Sequence, residues 1–276
     1  MSTLRERIEN IIANGEKNPH DKRATFNALR DALDAGEIRA AERKDDGTWE
    51  VHSWVKEGIL LGFRIGKITD MSSGTLPFFD KDTYPVKSLK STSGVRLVPG
   101  GSSIRAGSYV AEGVVCMPPM YINVGAYVDS GSMVDSHALV GSCAQIGKRV
   151  HLSAAAQVGG VLEPVGALPV IIEDDVFVGG GCGVYEGCLI REGAVLAPNV
   201  TLTRSTTVYD TVKERTITAD ENGVLEIPAG AVVVPGTRSA GSGYASEHGL
   251  SLYAPIIVKY RDASTDAATS LEDALR

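Results

Sequence analysis

The sequence predicts a mainly β protein whose middle is a parallel β-helix built from hexapeptide repeats. Aliphatic or small residues recur at every sixth position from Ile104 to Val158, and again from Ile172 to Val208. A second small or apolar position mostly follows each of them after four residues. An amphipathic helix repeats every 3.6 residues and a strand every two, so neither produces a constant step of six. A solenoid does, because each hexad supplies one short side of a coil.

The segment 1–93 is predicted to be a mostly helical N-terminal domain. Apolar residues recur there at helical spacing in two stretches, with Gly36 as a break. These positions are Leu4, Ile8, Ile11, Ile12, Phe26, Leu29, Leu33 and Ile38. A turn at Gly47 leads into a short strand, and residues 70–94 are rich in Ser, Gly, Pro and Lys, which predicts an irregular connector.

The β-helix itself is predicted over 94–240. Three hexads complete a triangular coil, so residues 18 apart should stack in register. The step slips between Val158 and Ile172, where 14 residues separate positions that 12 would keep in phase, and this predicts an excursion near 159–171. A second excursion is predicted near 210–226, where the stretch 220–223 has the composition of a hairpin turn.

The segment 241–276 is predicted to be a small C-terminal unit, with one strand over 251–259 and a helix-like tail from about Ser264. The open ends of a β-helix expose unpaired strand edges. We therefore expect the helical domain to cover one end and the C-terminal unit to cover the other. Flat solenoid sides also favour a closed cyclic oligomer.

Composition excludes several function classes. The formal net charge of −7 disfavours nucleic acid as a partner, and no apolar run approaches the roughly 20 residues of a membrane span. The first residues are charged and lack the features of a signal peptide, which predicts a cytoplasmic protein. The four cysteines form no CxxC pair, so buried thiols are expected rather than disulfides or a metal site.

A β-helix is compatible with an acyltransferase, a zinc hydratase or a non-catalytic structural solenoid. Zinc hydration requires three protein ligands, usually histidines. The five histidines are His20, His52, His137, His151 and His248. Only His137 and His151 fall on the regular coil, 14 residues apart and therefore not stacked, so no metal is predicted. A structural solenoid would not need the dense polar segment at 133–145.

Specific motifs then narrow the choice. The runs NVGAYVD (123–129), MVD (133–135), VGSCAQIGK (140–148), HLS (151–153) and GGVLEP (159–164) closely resemble the tetrahydrodipicolinate N-succinyltransferase family. The resemblance extends from Val95 to Lys259. It implies a homotrimer of left-handed β-helices with active sites between neighbouring subunits. It also implies succinyl-CoA as acyl donor and tetrahydrodipicolinate, or its ring-opened amino-oxopimelate, as acceptor, on the route to diaminopimelate and lysine.

Two residues match the acceptor site of that family. Amine attack on a thioester requires a neutral amine, so a carboxylate or histidine must take its proton. Asp135 matches an acceptor-binding acid of the family and is the first candidate for this base, although a turn aspartate is the commoner role of such a residue. Arg96 matches the arginine that binds a substrate carboxylate; the alternative is a surface salt bridge. His137 and His151 are further candidates for the base. The commoner role of such histidines is that of a coil residue with ordinary hydrogen bonds.

The acyl-CoA is expected to contact small residues and backbone amides, because its pantetheine arm needs close approach. The candidates are Ser153, Ala154, Gly179 and Gly180, with Lys259 or Arg261 near the nucleotide phosphates. Tight coils need glycines in any case, so the glycines have a purely structural alternative.

The chain departs from the family pattern at two places. Gly183 stands where the family carries a glutamate that reaches the reacting amine. Either Glu186, three residues on, is the catalytic substitute, or Asp135 and water suffice. The usual Leu-Ser-Gly-Gly run has Ala154 and Ala155 in place of both glycines. These changes leave an alternative open: transfer from acetyl-CoA to the same or a related amino dicarboxylate, as in tabtoxin-type biosynthesis.

Overall fold

The computed structural model describes residues 2–15, 18–241 and 243–262. The tail predicted from Ser264 lies outside the described residues. Three helices form near the N-terminus: α1 Leu4–Asn14, α2 Pro19–Ala35 and α3 Ser53–Ile65. Thr3 and Glu6 form a capping box at the start of α1, and Gly36 ends α2 in the left-handed region at φ 73°.

Two short antiparallel hairpins accompany these helices. Strand β1 (Ala41–Arg43) pairs with β2 (Trp49–Val51), and β3 (Ile68–Asp70) pairs with β4 (Phe79–Lys81). A 3-10 turn, Ser91–Ser93, then precedes the coil.

The coil consists almost entirely of two-residue strands separated by tight turns. In chain order they are β5 Arg96–Leu97, β6 Ser103–Ile104, β7 Tyr109–Val110, β8 Val115–Cys116, β9 Tyr121–Ile122, β10 Tyr127–Val128, β11 Met133–Val134, β12 Leu139–Val140, β13 Gln145–Ile146, β14 His151–Leu152, β15 Gln157–Val158, β16 Ile171–Ile172, β17 Phe177–Val178, β18 Gly183–Val184, β19 Cys188–Ile190, β20 Val195–Leu196 and β21 Thr201–Leu202.

Every third strand belongs to the same parallel sheet, so the coil has three faces. The first face contains β5, β8, β11, β14, β17 and β20; the second contains β6, β9, β12, β15, β18 and β21; the third contains β7, β10, β13, β16 and β19. Tyr127 pairs with Tyr109 on one side and Gln145 on the other, which confirms the predicted stacking at 18 residues.

The six-residue repeat forms the core of the coil. Each repeat position from Ile104 to Val208 is buried, and the companion positions are buried as well, apart from the half-buried Thr206. Burying a valine, leucine or isoleucine side chain contributes about 1.5–3 kcal/mol. Because such a residue lies on every side of these coils except at Cys116, its burial stabilises this winding.

The helical domain packs along the third face of the coil rather than simply over an end. A Cβ at Gly36 would lie 2.7 Å from the ring of Tyr109, so the end of α2 directly contacts that face. Arg39 stacks on Tyr127, with its guanidinium carbon 3.6 Å from the ring centroid, and its Nε donates to Oε1 of Gln145 at 2.9 Å.

A buried carboxylate joins the β1–β2 hairpin to the same face. Glu173 is only 5% exposed; it accepts hydrogen bonds from Trp49 Nε1 and Arg191 Nη1, both at 3.0 Å. Arg43 lies 3.5 Å from the same oxygen. The hairpin is therefore anchored to the coil by a hydrogen bond and an ion pair with one buried carboxylate.

The first excursion leaves the coil after Val158 and returns at Ile171. Pairing resumes in phase, because Val158 lies opposite Val184 on the second face. The two extra residues at the break in the repeat therefore belong to the loop. The strands after the loop keep the same residues facing the interior and the exterior.

The second excursion differs from its prediction. The antiparallel hairpin is formed by β22 (Val208–Asp210) and β23 (Arg215–Ile217), whereas the turn at 220–223 joins β23 to β24 (Leu225–Ile227), which lies in another sheet. The hairpin expected around that turn is wrong, because β24 pairs with β19 on the third face and is not available to β23.

The C-terminal strand is also divided. Strands β25 (Ala231–Val234) and β26 (Thr237–Ser239) are followed by the short helix α4 (Tyr244–Glu247), β27 (Ser251–Tyr253) and β28 (Ile256–Tyr260). The predicted single strand is interrupted at Pro255, which has no N–H to donate. Strand β27 pairs with β26, and β28 pairs with β25 and β22 to extend the first face.

Candidate functional site

Three residues stack in successive coils, each directly after a strand of the first face. They are Asp135 after β11, Ser153 after β14 and Gly179 after β17. The N–H of Asp135 donates to the carbonyl of Leu152 at 2.9 Å, and the N–H of Ser153 donates to that of Val178 at 2.9 Å. The three residues therefore occupy one column along the coil axis. The structure brings together the predicted acceptor acid and two of the residues predicted to contact CoA.

The turns beside this column carry the other two small residues. The N–H of Gly181 donates to the carbonyl of Ala154 at 2.9 Å, which places Ala154 and Gly180 in adjacent turns. A Cβ at Gly180 would lie 3.4 Å from that carbonyl oxygen, whereas one at Gly179 would lie 2.6 Å from the backbone nitrogen of Pro198. Gly179 is thus required by coil packing, and its backbone borders a strip of small residues that a thin ligand can approach.

Asp135 uses one carboxylate oxygen within its own turn. Its Oδ1 accepts the N–H of Ser136 at 2.7 Å, and the side chain is half-buried. Asp129, one hexad earlier, makes the same bond with Ser130 at 2.7 Å. The turn bond is therefore a property of this coil position. Oδ2 of Asp135 makes no hydrogen bond with any residue that the structure describes, and it can accept a proton from a ligand.

Arg96 lies on the same face as Asp135, two strands away, which corresponds to about 10 Å between strands. Its side chain is exposed and forms no ion pair or hydrogen bond within the described part of the chain. The expected alternative, a surface salt bridge, is not seen among those residues. A guanidinium in this setting retains its donors for a carboxylate.

The two coil histidines have different environments. His151 is buried in β14, and its ring centroid lies 5.0 Å from that of Phe177. His137 is exposed in a turn with φ 62°, and its N–H donates to the carbonyl of Pro119. These contacts are those of ordinary coil residues.

Lys259 and Arg261 lie at the far end of the first face. Lys259 is on β28, five strands from the strand of Asp135, or about 24 Å. Its Nζ donates to Asp262 at 3.3 Å, and Arg261 Nη1 donates to the carbonyl of Asp175 at 3.0 Å. A long, extended ligand along this face would reach from Asp135 to these cations.

Glu186 is not brought to Asp135 within one chain. It is exposed in the turn that follows β18 on the second face, and its carboxylate lies 3.9 Å from the guanidinium of Arg204. Any joint action of Glu186 and Asp135 would require a neighbouring copy of the chain.

Tyr185 is a residue of interest that sequence reasoning missed. Its ring lies directly over Gly183, where an added Cβ would be 2.5 Å from Tyr185 Cε2. The available signal was strand alternation, since residues two apart on a strand point to the same side. The position without an acid is therefore covered by an aromatic ring.

No group of three or more His, Cys, Asp or Glu side chains in the described ranges is placed to hold a metal ion. The helices of the described segments are all too short or too polar to cross a membrane.

Comparison with known proteins adds to this geometry. The family model "Tetrahydrodipicolinate N-succinyltransferase N-terminal" matches residues 3–65, and "Hexapeptide repeat of succinyl-transferase" matches residues 169–204. A 2,3,4,5-tetrahydropyridine-2,6-dicarboxylate N-succinyltransferase from Polynucleobacter asymbioticus is 44% identical over 95% of this chain and 92% of its own length. The chain belongs to the tetrahydrodipicolinate N-succinyltransferase family. The resemblance inferred from the motifs is confirmed.

A second relative supports the assignment. The enzyme of the same name from Acinetobacter baylyi is 46% identical over 94% of this chain and 91% of its own length. A solved structure from Campylobacter jejuni, described as a 2,3,4,5-tetrahydropyridine-2-carboxylate N-succinyltransferase, is 13% identical with a TM-score of 0.45. The match covers 84% of this chain and 62% of that one, and it is too low to show the fold. The hexapeptide family match and the three parallel faces show the predicted left-handed β-helix.

Proposed function

We propose that this member of the tetrahydrodipicolinate N-succinyltransferase family transfers a succinyl group from succinyl-CoA to the amine of 2-amino-6-oxopimelate, the hydrated, ring-opened form of tetrahydrodipicolinate. The product would enter diaminopimelate and lysine biosynthesis. The observation that carries the proposal is the column of Asp135, Ser153 and Gly179, with Arg96 on the same face. This arrangement combines a proton acceptor, Asp135, with a guanidinium that can bind a carboxylate, Arg96, and a strip of small residues.

In the proposed mechanism the acceptor amine attacks the thioester carbonyl. The neutral amine attacks through its free electron pair, and as the C–N bond forms the nitrogen gives one proton to Oδ2 of Asp135. The tetrahedral intermediate then expels the CoA thiolate as the C–S bond breaks, and the thiolate receives the proton. Arg96 binds a carboxylate of the acceptor and fixes the amine near Asp135.

The acyl-CoA is proposed to lie along the first face. Ser153, Ala154, Gly179 and Gly180 would border its pantetheine arm, and Lys259 would contact the nucleotide phosphates. No metal takes part in this proposal.

We further propose a cytoplasmic homotrimer in which active sites lie between neighbouring subunits. Glu186 and Asp135 follow strands of different faces, so Glu186 of a neighbouring subunit is the candidate second acid or base. This arrangement would supply the group that Gly183 cannot.

An acetyl-CoA-dependent acyltransferase of the tabtoxin-biosynthesis type remains the second candidate function. The specific observation in its favour is Ala154, which is exposed on the strip where the family has a glycine. The added methyl group reduces the room available to a larger acyl group.

A thiol-release assay tests these proposals. Purified protein is incubated with tetrahydrodipicolinate and either succinyl-CoA or acetyl-CoA, and free CoA is measured with a chromogenic disulfide. Acceptor-dependent release that is faster with succinyl-CoA supports the main proposal. Faster release with acetyl-CoA selects the second candidate, and release with neither donor favours a non-catalytic module.

A further inference from the structure

We propose that Tyr185 and Arg204 form a subsite for a short methylene chain that ends in a carboxylate. This inference deepens the proposed function and rests on it, including the trimer, because Tyr185 and Arg204 lie beside Glu186 and would face Asp135 only from a neighbouring subunit. Both substrates contain such a chain, the succinyl group of the donor and the carbon chain of the acceptor. Tyr185 would be the apolar wall of the subsite, and Arg204 would pair with the carboxylate.

The position of the Tyr185 ring depends on two glycines. An added Cβ would lie 2.5 Å from Cε2 of Tyr185 at Gly183, and 3.0 Å from Cδ1 at Gly159. Real Cβ atoms do not approach as closely as the first distance, so a side chain at position 183 would displace the ring. The ring of Tyr185 therefore occupies the space that a side chain at position 183 would fill.

The ring still presents surface to a ligand. Tyr185 is 39% exposed, although its ring packs on Gly183 and Gly159. It borders a groove of about 320 Å³ together with Glu186, Thr203, Arg204 and Ser205. One wall of this groove is thus an aromatic surface, and its other lining residues are charged or carry hydroxyl groups.

Arg204 is held in position but retains its hydrogen-bond donors. Cβ atoms added at Gly187 and Gly223 would lie 2.9 Å from Arg204 Cβ and Cδ respectively, so its stem packs against both glycines. Its guanidinium is 3.9 Å from the carboxylate of Glu186, beyond hydrogen-bond distance, and it makes no hydrogen bond with other described residues. Glu186 therefore lies beside the cation without occupying its hydrogen-bond donors.

This combination is suited to a carboxylate-terminated chain. A guanidinium binds a carboxylate through two parallel hydrogen bonds, and an aromatic ring removes methylene groups from water. An acetyl group has no distal carboxylate and would gain nothing from Arg204. The subsite is therefore a determinant of specificity between succinyl and acetyl donors, or of acceptor binding.

Four variants test the subsite: Arg204→Gln, Tyr185→Phe, Tyr185→Ala and, as a matched control, Arg64→Gln on the exposed side of α3. KM and kcat are measured separately for each donor and for the acceptor. We expect Arg204→Gln to raise KM about tenfold for the substrate whose carboxylate it binds. An effect confined to succinyl-CoA, with acetyl-CoA unchanged, identifies the donor; an effect on acceptor KM with either donor identifies the acceptor.

The tyrosine variants separate the ring from the hydroxyl. Tyr185→Phe should retain the wild-type KM, whereas Tyr185→Ala should raise the same KM that Arg204→Gln raises. A purely structural role for Tyr185 would instead lower the melting temperature and leave both KM values within twofold of wild type. That result, or unchanged KM values in Arg204→Gln, overturns the subsite.

Failure of the proposed function is distinguishable from failure of the subsite. If wild-type protein turns over neither donor, the proposed function fails, and calorimetric titration with glutarate tests the subsite directly. Glutarate binding that is lost in Arg204→Gln and retained in Arg64→Gln supports the subsite. Absence of glutarate binding to wild type, or equal binding to both variants, overturns it.

Discussion

Lys56 Nζ donates a hydrogen bond to the carbonyl oxygen of Ala167 at 2.5 Å and so ties helix α3 to the first excursion of the coil. The lysine side chain has no solvent exposure. Burial lowers the pKa of Lys56, and the electrostatic effects of Cys143 and Glu186 only partly oppose this shift. The contact between the helical domain and the coil therefore includes a cation in an unfavourable environment.

The contribution of Lys56 to the free energy of unfolding should increase with pH. A lysine whose pKa is lower in the folded state binds fewer protons there than in the unfolded chain, so its contribution to stability rises with pH. The rise begins near the lowered pKa and ends near the ordinary value of 10.5. We expect wild-type protein to gain free energy of unfolding relative to Lys56→Met as pH rises through this alkaline range. Urea titrations of both proteins between pH 7 and about 10 measure it. A constant difference would contradict it.

Removing the charge of the buried Glu173 should lower the free energy of unfolding more than removing the charge of the exposed Glu192. Glu173→Gln leaves Arg191 and Arg43 without their buried counter-charge, and breaking such a pair typically costs about 3 kcal/mol or more. Urea unfolding followed by tryptophan fluorescence reports the loss, since Trp49 donates to the same carboxylate. Glu192→Gln, at an exposed position, is the control and should change the free energy of unfolding by less than about 0.5 kcal/mol.

The four cysteines should be unreactive in the native protein. Burial raises the pKa of Cys116, Cys143 and Cys188 to about 12 and that of Cys182 to about 11. Only the thiolate is nucleophilic, so its fraction at pH 8 is negligible. We expect a chromogenic disulfide to label no thiol rapidly in native protein and all four after denaturation. One fast native thiol would show that a coil position opens to solvent.

Asp135→Asn should lower turnover by a factor of about 10² to 10⁴, the usual contribution of a general base. Its matched control is Asp129→Asn, because Asp129 makes the same turn bond one hexad earlier. Both variants should keep the melting temperature within a few degrees of each other. Equal turnover in the two variants would remove Asp135 from the proton transfer and leave it the turn role alone.

Arg96→Lys should raise the acceptor KM at least about tenfold, because a lysine cannot form the bidentate pair. The side chain makes no ion pair among the described residues, so this substitution should not change the melting temperature. Steady-state kinetics with varied acceptor at saturating donor measure the effect. A drop in kcat at unchanged KM would instead place Arg96 in the transition state.

Much of the fold follows from the sequence because the repeat is a local property. Each hexad buries its own apolar residue, so the positions of Ile104 to Val208 in the core could be predicted without knowing what lies beside them. The hairpin expected around 220–223 failed for the opposite reason. The turn formed, but β24 pairs with β19, whose partner residues lie 37 positions earlier in the chain (Cys188 opposite Leu225), and this pairing is not encoded near the turn.

The candidate site, too, has a part that the sequence predicted and a part that it did not. Sequence motifs identified the family and predicted Asp135, Arg96 and the small residues, and 18-residue stacking already implied that Asp135 and Ser153 are neighbours. That Glu186 faces Arg204 instead of Asp135, and that the ring of Tyr185 lies over Gly183, depended on side-chain directions at two different corners of the coil. The periodicity of a repeat determines which residues face the interior, because burial dominates there. The outward side chains are placed by contacts between coils and between segments distant in the chain, and those contacts exist only in the tertiary structure.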